Sequence, residues 1–253
     1  MAKIMAVVTQ KGGVGKTTSA VNLASCLGEL GKKCLLVDID PQGNATSGVG
    51  LDKRQVKKST YDLLVAGGDA REAVLATPYQ NLWILPANVN LAGAEIEMIN
   101  TPHREKRLKA SLAPCRDSFD YILIDCPPAL GLLTLNALVA ADTFLIPAQP
   151  EYYALEGLSQ LIATVRQVKR LYNPTLELEG VLFTMYDGRT NLTQQVVAEV
   201  KKFFPRRVYA AVIPRTVRLA EAPSYGRPIN YYDKGSKGAK AYRAVAEELL
   251  SRQ

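Results

Sequence analysis

Short apolar runs alternate along the chain with longer segments in which apolar residues recur every three or four positions. Runs such as IMAVVT at residues 4–9 and YILI at residues 121–124 are typical of strands buried in a parallel sheet. The longer segments are typical of helices that pack one face against such a sheet. Their repeated alternation predicts an α/β fold, with a mostly parallel, twisted sheet and helices on both faces.

The pattern assigns each predicted element a range. Strands are predicted at residues 4–9, 34–37, 82–85, 121–124, 143–147, 181–184 and 208–213. Helices are predicted at residues 17–30, 91–112, 132–141, 155–171, 193–204 and 237–250. Neither an internal repeat nor a low-complexity linker interrupts this order, so we expect residues 1–253 to form a single domain.

Composition narrows the class of protein. The 253 residues are 47% hydrophobic and 22% charged, which are globular values. No uncharged apolar run approaches the length of a membrane span, and the first apolar run is too short for a signal peptide. The four cysteines lack paired spacing and there is one histidine, so neither a disulfide framework nor a zinc site is expected. A reduced, cytoplasmic protein is the expectation.

The positive charge is concentrated in the last third of the chain. Residues 166–253 hold 16 Lys and Arg against 8 Asp and Glu, whereas the whole chain has a net charge of +7. Such asymmetry is typical of a basic face that binds a polyanion, either a nucleic acid or an anionic membrane. The alternative is an ordinary solvated surface, because charge alone is a weak signal.

A glycine-rich segment, TQKGGVGKTT, follows the first predicted strand and opens the first predicted helix. It fits the phosphate-binding pattern G-x-x-x-x-G-K-[ST] except that Gln10 replaces the first glycine and an additional lysine follows it. Glycines let backbone N–H groups approach phosphate oxygens, Lys16 adds a charge, and Thr17 offers a hydroxyl to magnesium. The predicted nucleotide contacts are Lys11, Gly12, Gly13, Val14, Gly15, Lys16, Thr17 and Thr18.

Three aspartates follow predicted strands at the edge where a parallel sheet binds its ligand. Asp125 ends the run YILID and is the candidate for a carboxylate on the magnesium side, acting through water, with Thr17 as the hydroxyl ligand. Asp40 lies shortly beyond a predicted strand, where it reaches toward the γ-phosphate and holds a water molecule. Asp38 is the third candidate. Each of the three aspartates has the alternative of a helix cap or a turn.

Together these motifs resemble a known family. KGGVGKTT, VDIDPQGN and ILIDCPP, with EYYALEGL at 151–158, TMYDGRTN at 184–191 and VIPRTVRLAEAPSYGRPI at 212–229, resemble chromosomal ParA proteins, also called Soj. These belong to the deviant Walker A ATPases of the ParA and MinD group. The resemblance covers essentially the whole chain. It implies a P-loop NTPase fold, ATP and Mg²⁺ as cofactors, ATP hydrolysis, and a cytoplasmic location on the nucleoid.

The resemblance also implies roles for individual residues. Lys16 serves its own subunit's nucleotide, whereas Lys11 reaches across an ATP-bound homodimer to the phosphates of the partner. Asp40 orients the attacking water, Asp38 lies near the magnesium, and residues 41–48 act as a switch. The implied adenine slot is formed by Met185, Pro214 and Thr216, and family members often have asparagine in place of Thr216.

The resemblance implies two partners for the ATP-bound dimer: non-specific double-stranded DNA, and a ParB-type protein that stimulates hydrolysis. Phosphate contacts need only Lys and Arg. The candidate DNA contacts are Arg189 and Arg218, supported by Lys201, Lys202, Arg206 and Arg207. An alternative is an ordinary surface role for these residues.

Two alternative functions share most of the motifs. A MinD-like ATPase would bind membranes through a C-terminal amphipathic helix. The tail AYRAVAEELLSRQ instead has two glutamates beside its apolar face, which is typical of a helix that docks on the core, so no membrane partner is expected. A ParA-like ATPase that positions protein cargo would share every motif, and this alternative stays open.

Overall fold

The computed structural model describes residues 1–152 and 154–252. Across these residues the backbone forms one sheet with the strand order β3-β4-β2-β5-β1-β6-β7. All neighbouring strands run parallel except β3 and β4, which are antiparallel. This confirms the predicted α/β fold. The strands are β1 (Lys3–Val7), β2 (Cys34–Asp38), β3 (Leu75–Ala76), β4 (Leu82–Leu85), β5 (Tyr121–Asp125), β6 (Thr143–Ala148) and β7 (Glu177–Phe183).

Helices connect these strands and cover both faces of the sheet. Short 3₁₀ turns occur between several of them. The α-helices are α1 (Lys16–Glu29), α2 (Asn44–Gly48), α3 (Thr60–Val65), α4 (Ala94–Glu97), α5 (Arg107–Leu112), α6 (Leu132–Ala140), α7 (Ala154–Leu171), α8 (Asn191–Phe203), α9 (Val217–Glu221), α10 (Ile229–Tyr232) and α11 (Lys237–Ser251).

Side chains of the central strands point alternately into two hydrophobic layers. On β2, Leu35 and Val37 join the layer that contains α6 and α7, whereas Cys34 and Leu36 join the layer that contains α1 and α11. All four residues are completely buried, as expected for a strand covered on both faces. The parallel strands end together at one edge of the sheet, where the loop between β1 and α1 lies.

The prediction of a continuous helix over residues 91–112 is wrong. The segment contains α4, a turn, and α5. The turn contains Pro102, which lacks a backbone N–H and disfavours helical backbone at the preceding residue. His103 follows with a left-handed φ of 53°. Between Ile99 and Leu108 the sequence has no apolar residue other than Pro102, so the helical spacing is itself interrupted at this break.

The predicted strand at residues 208–213 is also wrong. Val208 forms only an isolated bridge with Val181 of β7. The N–H groups of Ala210 and Ala211 donate to the carboxylate of Glu248 on α11, at 2.9 and 3.0 Å, and so are not available to a sheet ladder. Burial tends to raise the pKa of Glu248, but these donors and Arg252 lower it overall. The Glu248 carboxylate therefore accepts the hydrogen bonds that a neighbouring strand would otherwise accept.

Helix α11 docks on α1, as the tail sequence predicts. Tyr242, Val245, Ala246 and Leu249 are at most 1% exposed, and the hydroxyl groups of Tyr242 and Ser19 lie 3.1 Å apart. Among the described helices, none has the length and apolarity that crossing a bilayer would require.

Replacing Gly28 on α1 with alanine is expected to lower the free energy of unfolding by about 1–3 kcal/mol, because the added methyl group would overpack the core. The new Cβ would lie 2.3 Å from the carbonyl oxygen of Gln80, in the turn before β4. Gly157→Ala on α7 is the matched control, since its Cβ would meet no atom within 4 Å. Urea unfolding of both variants measures the difference, and equal midpoints would contradict the close approach.

Candidate nucleotide-binding site

The glycine-rich loop lies between β1 and α1, as predicted. Gly13 and Gly15 have left-handed φ values of 73° and 83°, which L side chains rarely adopt. Gly15 caps α1, and its carbonyl accepts the helix bond from the Ser19 N–H at 2.8 Å. The free N–H groups of the first helical turn and the helix dipole make this end of α1 an anion site.

Lys16 is the buried cation of this loop. It is the first residue of α1 and only 7% exposed. Burial lowers the pKa of Lys16, whereas the carboxylates of Asp125 and Asp40 oppose this change. The ammonium group thus lies among the acidic groups at the strand ends.

Lys11 occupies a different environment. Its ammonium group forms an ion pair with Glu151, in the segment after β6. Both side chains are 49% exposed. The two lysines of one loop are therefore separated, with Lys16 in the interior of the site and Lys11 at its rim.

Asp38 and Asp125 lie side by side, since they end the adjacent strands β2 and β5 in register. Both are completely buried. Asp38 accepts bonds from the Asp40 N–H at 3.1 Å and from the N–H and hydroxyl of Thr46, both at 2.8 Å. Neither oxygen of Asp125 has a well-formed hydrogen bond within the described residues, although the Thr17 hydroxyl lies nearby.

This arrangement fits a magnesium ion beside Asp125. Burial, together with the charge of Asp38, raises the pKa of Asp125 well above its usual value, and burial raises the pKa of Asp38 to about 6. Two adjacent buried carboxylates are costly without a cation. Asp125 and Thr17 are the groups that would hold the ion, whereas Asp38 is occupied in holding Thr46.

No cluster of three or more His, Cys, Asp or Glu that could hold a metal occurs in the part of the chain that the structure describes. Magnesium usually keeps several waters and is held by one or two protein groups together with substrate phosphates. The single carboxylate and hydroxyl at this site match that pattern.

Asp40 immediately precedes the predicted switch segment, residues 41–48. It is 6% exposed, its Oδ1 accepts from the Gln42 N–H at 2.9 Å, and its carbonyl accepts from the Gly43 N–H at 2.8 Å. These bonds fix the turn that leads into α2. The carboxylate is close enough to Lys16 to oppose the fall in its pKa. Asp40 therefore lies at the same end of the sheet as the phosphate loop.

The segment after α2 lies directly against the segment after α9. Gly50 and Gly226 have left-handed φ values of 86° and 62°, and a Cβ at Gly226 would lie 2.7 Å from the Gly50 Cα. The Tyr79 hydroxyl donates to the Gly226 carbonyl at 2.5 Å. The same Cβ at Gly226 would lie 3.3 Å from the carbonyl oxygen of Ser47, so the end of the switch segment also lies against the region that follows α9.

A cavity of about 580 Å³ opens beside the phosphate loop. The structure brings the predicted adenine residues to it: Met185, Pro214 and Thr216 line the cavity together with Gly13 and Gly15. The Thr216 hydroxyl accepts from the Leu219 N–H at 3.2 Å and so caps α9. The cavity is therefore a nucleotide-sized space with the phosphate loop at one side.

Sequence reasoning missed several residues that line this cavity. They come from the ends of β6 and β7, from the segment before α9, from α9 itself and from α11, which only the tertiary fold brings together. The available signal was a position at the end of a predicted strand: Thr184 and Ile213 end predicted strands, and Gln149 lies two residues beyond one. The missed residues include Gln149, Thr184, Ile213, Leu219 and Tyr242.

Both leading candidates for DNA contacts are exposed but paired with carboxylates. Arg189 donates to the two oxygens of Asp187 at 2.8 and 2.6 Å. Arg218 contacts Glu221 at 3.1 Å and Asp233 at 3.4 Å. Exposed pairs of this kind contribute little to stability, so a stronger anion can compete for either arginine.

The four supporting basic residues lie elsewhere. The carbonyl of Arg207 accepts from the Val181 N–H at 2.8 Å, and its guanidinium lies 3.5 Å from Glu177, the first residue of β7. Arg189 follows the opposite end of β7. The structure thus does not bring Lys201, Lys202, Arg206 and Arg207 together with Arg189.

Comparison with known proteins agrees with this geometry. Residues 2–178 match a family model described as an AAA domain. The chain is 57% identical to the sporulation initiation inhibitor protein Soj of Bacillus subtilis, over 99% of each chain. It is 50% identical to the chromosome partitioning protein ParA of Myxococcus xanthus, over 99% of this chain and 88% of that protein.

A solved structure is similar over the whole chain. Cobyrinic acid a,c-diamide synthase from Mycobacterium smegmatis, with a bound ATP analogue and magnesium, is 38% identical with a TM-score of 0.87. The match covers 100% of this chain and 96% of that one. The phosphate loop, the carboxylates at the strand ends and the base cavity agree with the ATP and Mg²⁺ cofactors that these similarities indicate. The chain belongs to the Soj/ParA family of chromosome-partitioning ATPases.

Proposed function

We propose that ATP joins two copies of this chain into a dimer that binds DNA non-specifically, and that hydrolysis releases the DNA. The observation that carries the proposal is the separation of the two loop lysines. Lys16 is buried among the acidic groups of its own site, whereas Lys11 is half exposed at the rim and paired with Glu151. A lysine at the rim is available to phosphates that a second subunit presents.

The proposed dimer depends on the triphosphate for an electrostatic reason. A nucleotide bound at the end of α1 carries several negative charges, and a cation from the second subunit is attracted to them more strongly when the γ-phosphate is present. During hydrolysis, the same cation stabilises the charge that develops on the transferred group. Asp40, held by its turn, orients the attacking water.

The proposed DNA contact uses Arg189 and Arg218. Both arginines are exposed, and their partners are surface carboxylates that a phosphate backbone can displace. Two copies of each arginine in a dimer double the number of phosphate contacts, so affinity rises steeply on dimerisation. The four supporting residues near the other end of β7 are secondary in this proposal.

The alternatives differ in the partner that ATP controls. A MinD-like role requires an apolar helix face that is available to lipid, whereas α11 buries its apolar residues against α1. A cargo-positioning role uses the same nucleotide switch and the same DNA contacts. We propose a ParB-type protein as the partner that stimulates hydrolysis, on the strength of the family to which the chain belongs.

Retention on random-sequence duplex DNA tests the proposed function. It is measured with magnesium under three conditions: without nucleotide, with ADP and with ATP. Retention with ATP alone is expected. A dimer that forms with ATP but is not retained at any modest salt would contradict DNA as the partner, and the same samples would then be tested on anionic liposomes.

Arg218→Glu is expected to reduce retention on DNA by about 100-fold in the ATP state, because it replaces two attractive phosphate contacts per dimer with two repulsive ones. Nucleotide affinity and ATP-dependent dimerisation should stay near wild type, since Arg218 does not line the base cavity.

Arg243→Glu is the matched control for this variant. Arg243 is also an exposed arginine that pairs with a nearby glutamate, Glu247, at 3.0 Å, and it lies on α11. It should retain DNA within a few-fold of wild type. Equal losses in both variants would mean that net charge alone, and not a contact at Arg218, governs retention.

A further inference from the structure

Thr184 is a buried polar residue to which sequence reasoning gave no role. It immediately follows β7, is 2% exposed, and its N–H donates to the Ala148 carbonyl at the end of β6 at 2.9 Å. Its backbone is therefore fixed to the sheet, at the edge where the strands meet the nucleotide-binding site.

The side chain of Thr184 contacts the phosphate loop. Its hydroxyl donates to the carbonyl of Val14 at 2.7 Å. Its Cβ and Cγ2 each lie 3.8 Å from the point where a Cβ would stand on Gly15. Val14 is itself only 2% exposed, so this hydrogen bond is shielded from water. One side chain thus holds the loop by a hydrogen bond and by packing.

We infer that Thr184 is a positioning residue for the phosphate loop. The peptide bonds of the described residues are all trans, so the Val14 carbonyl and the Gly15 N–H point in opposite directions. A carbonyl anchored on Thr184 directs the Gly15 N–H away from β7, toward the interior of the loop where phosphate oxygens bind. The same anchor fixes the residue that caps α1 and precedes Lys16.

Thr184 also joins the two halves of the site. The next residue, Met185, has a left-handed φ of 48°, and Tyr186 then donates its N–H to the Ile213 carbonyl at 2.9 Å. This turn brings the segment with Pro214 to the base cavity. The end of β7 therefore holds the phosphate loop on one side and the base pocket on the other. Of these two contacts, only the contact with the phosphate loop is made by the Thr184 hydroxyl.

Thr184→Val removes the hydroxyl and keeps the shape of the side chain. It leaves the buried Val14 carbonyl without its donor, so the dissociation constant for ADP with magnesium is expected to rise about 10-fold. Thr184→Ser keeps the donor and is expected to bind ADP nearly as wild type does. Titration calorimetry measures both, with adenosine as a ligand that lacks phosphates and whose affinity should change little.

Thr143→Val is the matched control. Thr143 begins β6, and its buried hydroxyl has no partner among the described residues. Its removal should leave ADP affinity unchanged. The inference is overturned if Thr184→Val binds ADP as tightly as Thr184→Ser, or if adenosine affinity falls as much as ADP affinity. If Thr184→Val does not fold, Thr184→Ala replaces it, and equal ADP affinity in the Ala and Ser variants overturns the inference.

The experiment rests on nucleotide binding and is independent of the proposed dimer and DNA contacts. If wild-type protein binds ADP but is not retained on DNA, the proposed function is contradicted. The ADP affinities of Thr184→Val and Thr184→Ser still decide the role of Thr184 in that case. Wild-type affinity for ADP in Thr184→Val would reject the positioning role whatever the outcome with DNA.

Discussion

Lys16→Ala is expected to weaken the binding of ATP with magnesium by about 100-fold, roughly 3 kcal/mol, because it removes a charged hydrogen-bond donor from a buried site. Lys16 is 7% exposed and lies close to Asp125 and Asp40. Without it, these carboxylates face the phosphates with no intervening protein cation. Hydrolysis and every ATP-dependent step should be lost together.

Lys11→Ala is the variant that separates the two lysines. Removal of the Lys11 side chain breaks its surface ion pair with Glu151 and leaves the interior of the site intact. ADP affinity of the single chain should therefore stay near wild type, while ATP-dependent dimerisation disappears. Calorimetry with ADP and light scattering with ATP give the two readings. A large fall in ADP affinity in Lys11→Ala would place both lysines on one nucleotide and reject the proposed exchange between subunits.

Asp40→Ala is expected to slow ATP hydrolysis by about 100- to 1,000-fold while ATP still binds, because a carboxylate that orients water contributes on this scale. The ATP-bound dimer should consequently persist, and its lifetime on DNA should lengthen by a similar factor. The alanine also removes the acceptor of the Gln42 N–H, so the turn itself loses one bond.

Asp40→Asn controls for the turn. The amide keeps an oxygen that can accept from the Gln42 N–H but lacks the negative charge. If slow hydrolysis arises from the missing charge, the Asn and Ala variants should behave alike in single-turnover measurements. Near-normal hydrolysis in Asp40→Asn would mean that the turn, and not the carboxylate, is what the reaction requires.

Local sequence features predicted the parts of this protein that depend on short stretches of chain. The apolar runs predicted β1, β2, β5 and β6 within a few residues because each is covered on both faces. The phosphate loop was predictable for a similar reason. Its left-handed glycines, its lysine and the following helix are all contiguous in sequence.

Features that depend on distant contacts could not be predicted in this way. The Lys11 pair with Glu151 joins residues 140 positions apart, and the Thr184 bond to Val14 joins residues 170 apart. Nothing near Asp38 in the sequence indicates that Thr46 occupies one of its oxygens. At residues 208–213, the apolar pattern is typical of a strand, but the carboxylate of Glu248 accepts from N–H groups that a strand would need for its neighbour.

The contact between Gly50 and Gly226 has a mechanical consequence. Each backbone fills the space where the other residue's side chain would stand, and the Tyr79 hydroxyl holds Gly226 in place. Gly50 follows the segment that begins at Asp40, and Gly226 follows the helix that carries Arg218. Close-packed backbones transmit displacement because neither can yield without opening a void. We therefore expect a displacement of the segment after Asp40 to be transmitted through this backbone contact to the segment that follows Arg218.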